Sequence, residues 1–269
     1  MHTLLIMGGG LGFIFLMSCL GAATVFFFRK PAPAKLQRIL LGFAAGVMIA
    51  ASVWGLLVPA VEAAEARGQI GWIPIAGGFA LGALFLLGLD RLIPHLHPFS
   101  GVSEGPASKS KGTTLLVSAV ALHNVPEGMA VGLALALAAQ AGGGPEMYAG
   151  AAALALGIGI QNLPESAAVS LALRQAGASP AKAFALSALS GSLEVIFGVL
   201  AALLAARVAP TMPWLLAFAA GAMMYVVIEE LIPEAHPGKG PGEEEHSNAG
   251  TMGAMVGFLL MTTMDMAMG

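Results

Sequence analysis

The chain has 269 residues, 57% of them hydrophobic and only 10% charged, with a formal net charge of -3, whereas ordinary soluble domains carry about a quarter charged residues. So few ionised side chains cannot solvate a surface of this size, which excludes a soluble enzyme, and the slightly negative charge excludes a nucleic-acid binder, which needs a basic footprint. The single cysteine, Cys19, excludes an intrachain disulfide and a cysteine-cluster metal site.

Apolar stretches of about 20 residues, the span of a bilayer, recur between Pro, Gly and charge clusters and predict eight helices, at 3–28, 36–63, 71–93, 112–139, 147–174, 181–207, 211–235 and 249–267. The 36 glycines and 15 methionines suit closely packed membrane helices. In the first helix Leu16-Met17-Ser18-Cys19 loosely resembles a lipoprotein cleavage box. Against a cleaved signal, no basic residue precedes the apolar run, Arg29-Lys30 follow it, and it exceeds a signal core of about 7–15 residues. An uncleaved anchor with its N-terminus outside is expected. Within a single transmembrane domain, 1–269, two stretches read as solvated cytoplasmic loops: 94–112, with two histidines, and 237–248, with Glu243, Glu244 and Glu245. An even number of spans puts both termini on one side. With that side outside, only Arg67 and Arg207 of the 12 basic residues fall on the outer face, as the positive-inside rule requires.

The chain also repeats itself. An offset of 175 places Phe43-Ala44-Ala45-Gly46-Val47-Met48 on Phe218-Ala219-Ala220-Gly221-Ala222-Met223, Gly82 on Gly257 and Asp90 on Asp265. Helices 2 and 3 thus match helices 7 and 8 with five spans between partners, so the copies run in opposite directions, a pattern typical of secondary transporters. A second repeat sets the thirteen residues from His123 to Leu135 on those from Gln161 to Leu173, with eight identities. The expected fold is an all-α integral membrane protein of eight transmembrane helices, an inverted repeat of helices 1–3 and 6–8 around a broken pair, helices 4 and 5.

The chemistry concentrates in that pair. Glu127, Glu165 and Glu194 lie inside apolar spans, where an ionised carboxylate costs about 2.5–3.5 kcal/mol even on lenient insertion scales. No Lys or Arg stands in the span interiors to balance them, so they are either protonated or held by a cation. His123 and Glu127 are four apart, as are Gln161 and Glu165, and each pair shares a helix face. Asn124 and Asn162 point close to the same side. Pro126 and Pro164 each free a backbone carbonyl about four residues earlier, which is tolerated where a helix lines a polar cavity. An imidazole, two or three carboxylates and several amide oxygens make a divalent-cation site whose mixture favours Zn(II), with Fe(II), Mn(II) and Cd(II) also suited. Two metals bridged by Glu127 and Glu165 fit the ligand count. Glu194, beside Ser190-Gly191-Ser192, is a candidate ligand or proton carrier, while Met48 by itself reads as core filling.

HNVPEG in helix 4 and QNLPES in helix 5, with Glu194 in helix 6, resemble the ZIP family of metal-ion transporters, particularly its GufA-like bacterial branch, over nearly all of the chain. The resemblance implies uptake of zinc and related divalent metals, as substrate rather than prosthetic group, through a binuclear midplane site in a bacterial inner membrane. It assigns His123, Glu127, Gln161 and Glu165 to one metal, joined by Met48, and Asn124, Glu127, Asn162, Glu165 and Glu194 to the other. It further implies that helices 1, 4, 5 and 6 move like an elevator against helices 2, 3, 7 and 8, and that the protein forms a homodimer. Many relatives have His where Gln161 stands, a carboxylate at Asn162 and Gly at Ser166, which leaves one imidazole in the first site and a narrower space near Glu165. Beside this core, Asp90, His95 and His97 at the end of helix 3, with Glu229, Glu230, Glu234 and His236 at the end of helix 7, resemble a cytoplasmic release path.

Two other classes compete. An intramembrane metalloenzyme or metal sensor would keep the metal, but there is no HExxH sequence, and the repeat and prolines have no catalytic rationale. An ion-coupled organic-solute carrier would need aromatic or cationic contacts inside helices 4 to 6, which hold only Phe184 and Phe197 beyond the interfacial Tyr148.

Overall fold

The computed structural model describes residues 2–28, 33–93, 95–96, 103–104, 112–142, 148–207, 209–236 and 248–268. They form eight long helices: α1 (His2–Ala23), α2 (Ala34–Glu65), α3 (Trp72–Leu92), α4 (Gly112–Gln140), α5 (Ala149–Gln175), α6 (Pro180–Arg207), α7 (Met212–Ala235) and α8 (Ala249–Met268). Seven are long and apolar enough to cross a membrane. The eighth, α5, has the length, at 27 residues, but Gln161, Asn162 and Glu165 lower its hydropathy. This is an integral membrane protein of the expected all-helical class. Most of the 94–112 and 237–248 loops lies outside the described residues; within the first, His95–Leu96 pairs antiparallel with Ser103–Glu104.

The break expected at the motif prolines is milder than a discontinuity. Pro126 and Pro164 sit inside α4 and α5, which continue on both sides of them. Each ring removes one backbone donor, and packing on neighbouring helices holds the rest of the ladder together. The larger departures from α geometry lie elsewhere, in π-helical segments at Ala51–Leu57 of α2 and Val227–Leu231 of α7. At the offset of 175 these two segments coincide.

The inverted repeat extends from sequence to packing. α2 packs along α8 and α3 along α7, the two combinations that exchanging the repeats interconverts. The same exchange relates the other major pairs, α4 with α6 and α5 with α1. Individual glycines obey it as well. A Cβ on Gly82 would strike the Phe218 carbonyl oxygen, and one on Gly257 would strike that of Phe43. Gly78 meets the Trp214 carbonyl as Gly253 meets that of Ile39, and each residue has its counterpart 175 positions away. These glycines let backbones touch, the packing mode of helices in lipid, where apolar side chains alone give no reason to associate. Together α2, α3, α7 and α8 form two tight pairs that enclose one side of α4 and α5.

Candidate metal centre

α4 and α5 carry their polar residues on the faces turned into the bundle. His123, Asn124, Glu127, Gln161, Asn162 and Glu194 are all buried, and Glu165 is nearly so. Their hydrogen bonds cross between helices. The Gln161 amide donates to Glu127 Oε1 at 2.6 Å, and the Asn162 amide donates to Glu194 Oε2 at 2.8 Å and to Ser18 Oγ at 3.2 Å. Ser18 in turn donates to Glu194 Oε1 at 3.0 Å, and the Asn124 amide donates to Ser190 Oγ at 3.0 Å. His123 lies between two carboxylates, Nδ1 3.5 Å from Glu165 and Nε2 2.5 Å from Glu230.

Gln161 and Asn162 thus each spend an N–H on a carboxylate and leave the amide oxygen over. Gln161 Oε1, Asn162 Oδ1, Glu127 Oε2 and Glu165 Oε2 are buried without a hydrogen-bond donor among the described residues. Four such acceptors in a membrane interior are costly unless a cation meets them. In this arrangement no three His, Cys, Asp or Glu side chains among the described residues close around a single point.

Among the described residues, one cavity reaches the site. A cavity of 520 Å³ runs from His123 and Glu165 between the first turns of α2, the second half of α5 and the end of α7, with Gln37, Gln175 and Glu234 along it. Toward the opposite face the later half of α4 and the first half of α5 are packed with buried Ala, Val and Leu side chains.

The release-path residues divide. Glu230 is no interfacial residue: it is 2% exposed and reaches His123. Its neighbour Glu229 faces outward. Asp90 is buried and accepts a hydrogen bond from Tyr225 at 3.1 Å, tying α3 to α7. His236 contacts the Ile232 carbonyl at 3.1 Å and Thr251 Oγ1 at 2.9 Å, at the joint between α7 and α8. For His95 the backbone alone is described, and His97 lies outside the described residues. Met48 is buried in the main apolar cluster. Ser18 and Ser190, which the sequence gives no site role, are hydrogen-bonded members of the polar core; in sequence they are ordinary small residues of membrane helices. Ser166 also finds its space. Where α4 has Gly128 against the Glu194 backbone, the small residue opposite Ser166 is Gly21 of α1, whose added Cβ would lie 3.0 Å from Ser166 Cβ.

An inverted helical repeat around a buried set of carboxylate, imidazole and amide groups, reached by a cavity at His123 and Glu165, defines a membrane transporter of cations. The family model described as ZIP zinc transporter matches residues 103–265, and the chain belongs to the ZIP family. Similar proteins include zinc transporter ZIP11 of Homo sapiens, 35% identical with 94% of each chain covered. Zinc transporter GufA of Myxococcus xanthus is 40% identical over 80% of this chain and 81% of its own. Zinc transporter ZIPB of Bordetella bronchiseptica is 36% identical over 98% of this chain and 81% of its own. The protein is a divalent-metal transporter, not an enzyme.

Proposed function

We propose that the protein carries Zn(II), and less selectively Cd(II), Fe(II) and Mn(II), into the cytoplasm of a bacterial cell across the inner membrane, with both termini outside. The observation that carries this reading is the set of buried oxygens on Glu127, Gln161, Asn162 and Glu165 that lack a donor among the described residues, beside His123, with His123 and Glu165 lining the cavity. His123, Glu127, Gln161 and Glu165, with Met48, hold one metal, and Asn124, Glu127, Asn162, Glu165 and Glu194 hold the second. Imidazole and carboxylate together suit zinc better than hard cations, while the single imidazole and the neutral amides keep binding weak enough for release.

Release begins at His123. Glu230 is within reach of the same imidazole, so a metal leaving Glu165 meets a second carboxylate before Glu234 and Gln37 in the wider cavity. His236 extends the path at the end of α7, while the outward-facing Glu229 and Asp90, which ties α3 to α7, stand apart from it. Because α4, α5 and α6 contribute all the ligands but Met48 while α2, α3, α7 and α8 form tight glycine-mediated pairs, an elevator-like displacement of α1, α4, α5 and α6 against that frame, within a homodimer, provides alternating access. In sealed proteoliposomes containing a zinc dye, wild type is expected to show zinc entry that His123→Ala and Glu127→Ala lose under matched reconstitution. Entry no greater than in empty liposomes, from folded wild type that binds zinc, would overturn the reading.

A further inference from the structure

The helix α1 supplies no metal ligand, yet it places a polar side chain inside the polar core. Ser18 is fully buried. Its hydroxyl lies 3.0 Å from Glu194 Oε1 and 3.1 Å from the Ile14 carbonyl one turn back, and it accepts the Asn162 amide at 3.2 Å. With the Asn162 amide also 2.8 Å from Glu194 Oε2, the three side chains close a ring in which each touches the other two. Both oxygens of Glu194 therefore face a donor, whereas Glu127 Oε2 and Glu165 Oε2 lack one among the described residues. The surrounding helices are shaped to admit the serine. A Cβ on Gly191 of α6 would stand 2.9 Å from Ser18 Cβ, 3.4 Å from its Oγ and 3.8 Å from Glu194 Oε1. Further along α1, Gly21 lies against the Leu163 carbonyl of α5. These two close approaches fix the hydroxyl between the helix that carries Asn162 and the helix that carries Glu194.

We propose that Ser18 is a positioning residue for the second metal: its hydroxyl holds the Glu194 carboxylate in the orientation that meets Asn162, so that loading of that position depends on α1. The inference rests on the binuclear reading above, in which Asn162 and Glu194 are ligands of the second metal. A glutamate side chain has several free torsions, and here two donors fix them. Without Ser18, Asn162 alone grips one oxygen, and the carboxylate can turn about that contact. Hydrogen-bond partners that orient a ligand in this way contribute about 10–100-fold to metal affinity. Nor does the hydroxyl compete with the cation it prepares for. Its single proton has a second acceptor in the Ile14 carbonyl, so a cation that takes Glu194 Oε1 turns the proton to Ile14 with no movement of the side chain.

Equilibrium dialysis of the purified full chain against buffered zinc, with bound metal counted at each free concentration, tests this. Wild type is expected to bind two zinc ions, and Glu194→Gln to keep the first and lose the second. Ser18→Ala deletes one oxygen and leaves the helix contacts at Gly191 and Gly21 in place. It should bind the first zinc within twofold of wild type and the second at least tenfold more weakly. Gly191→Ala, which crowds Ser18 without removing its hydroxyl, should do the same. Ser170→Ala, at a buried serine bonded to the Ala167 carbonyl of its own helix at 3.0 Å, should bind both ions as wild type does. Wild-type binding of both ions by Ser18→Ala or Gly191→Ala, a tighter second ion, an equal weakening of the two ions, or the same loss in Ser170→Ala would overturn the role of Ser18. A wild type that holds one zinc, or a Glu194→Gln protein that holds two, would instead overturn the binuclear reading and this inference with it.

Discussion

Replacing Gly128 by alanine adds one methyl group where α4 crosses α6. The new Cβ would stand 2.6 Å from the Glu194 Cα and closer still to its carbonyl oxygen. Carbon atoms in contact sit about 3.5–4.0 Å apart, so the helices must separate by about 1 Å. The obstacle is backbone on both sides, so no rotamer change relieves it. Overpacking of this kind costs about 1–3 kcal/mol, or several degrees of melting temperature at about 2–4 °C per kcal/mol. The functional consequence is larger because the backbone displaced is that of Glu194. Its carboxylate receives Asn162 at 2.8 Å and Ser18 at 3.0 Å, and a 1 Å retreat takes both beyond hydrogen-bonding range. Gly128→Ala should therefore melt several degrees lower in detergent and lose at least tenfold in zinc uptake. Gly150→Ala, where an added Cβ meets nothing within 4 Å, should match wild type in both assays. A Gly128→Ala protein with wild-type melting and uptake would show that the α4–α6 contact does not position Glu194.

The two adjacent glutamates of α7 should separate cleanly: Glu229→Gln leaves uptake within twofold of wild type, and Glu230→Gln lowers it at least tenfold, measured as initial rates in proteoliposomes. Asn162→Leu keeps the side chain's size but withdraws the donor from Glu194 and Ser18, leaving a buried acceptor unsatisfied at about 1–3 kcal/mol; the expected result is a lower melting temperature together with lost uptake. Tyr225→Phe removes the hydrogen bond to Asp90 in the α3–α7 pair, away from His123, so melting should fall by a few degrees while the zinc concentration giving half-maximal uptake stays unchanged.

Hydropathy and local pattern determine much of this protein directly. The eight spans follow from runs of apolar residues that only a bilayer or a large core can cover, and α5 is recognisable despite its polarity because its motif repeats that of α4. The inverted repeat is legible because the same backbone contacts must be made twice: Gly82 and Gly257, like Gly78 and Gly253, recur since each pair lets two helices touch at equivalent points. The i, i+4 spacing of His123 with Glu127 and of Gln161 with Glu165 places those side chains on shared faces by helix geometry alone.

What the tertiary structure decided lies between helices that are distant in sequence. Nothing local to Ser18 or Ser190 marks them as partners of Glu194 and Asn124, for those contacts join positions more than 60 residues apart. Ser166 looks oversized beside its repeat mate Gly128 until α1 brings Gly21 opposite it. Glu229 and Glu230 are indistinguishable as a pair of acids near a helix end. The π-helical turn at Val227–Leu231 sets the angular register of that end, turning Glu230 to His123 and Glu229 outward. A helix's composition tells which residues must avoid lipid, but its rotation and its irregular turns are set by the helices it packs against, and those alone determine which carboxylate meets the site.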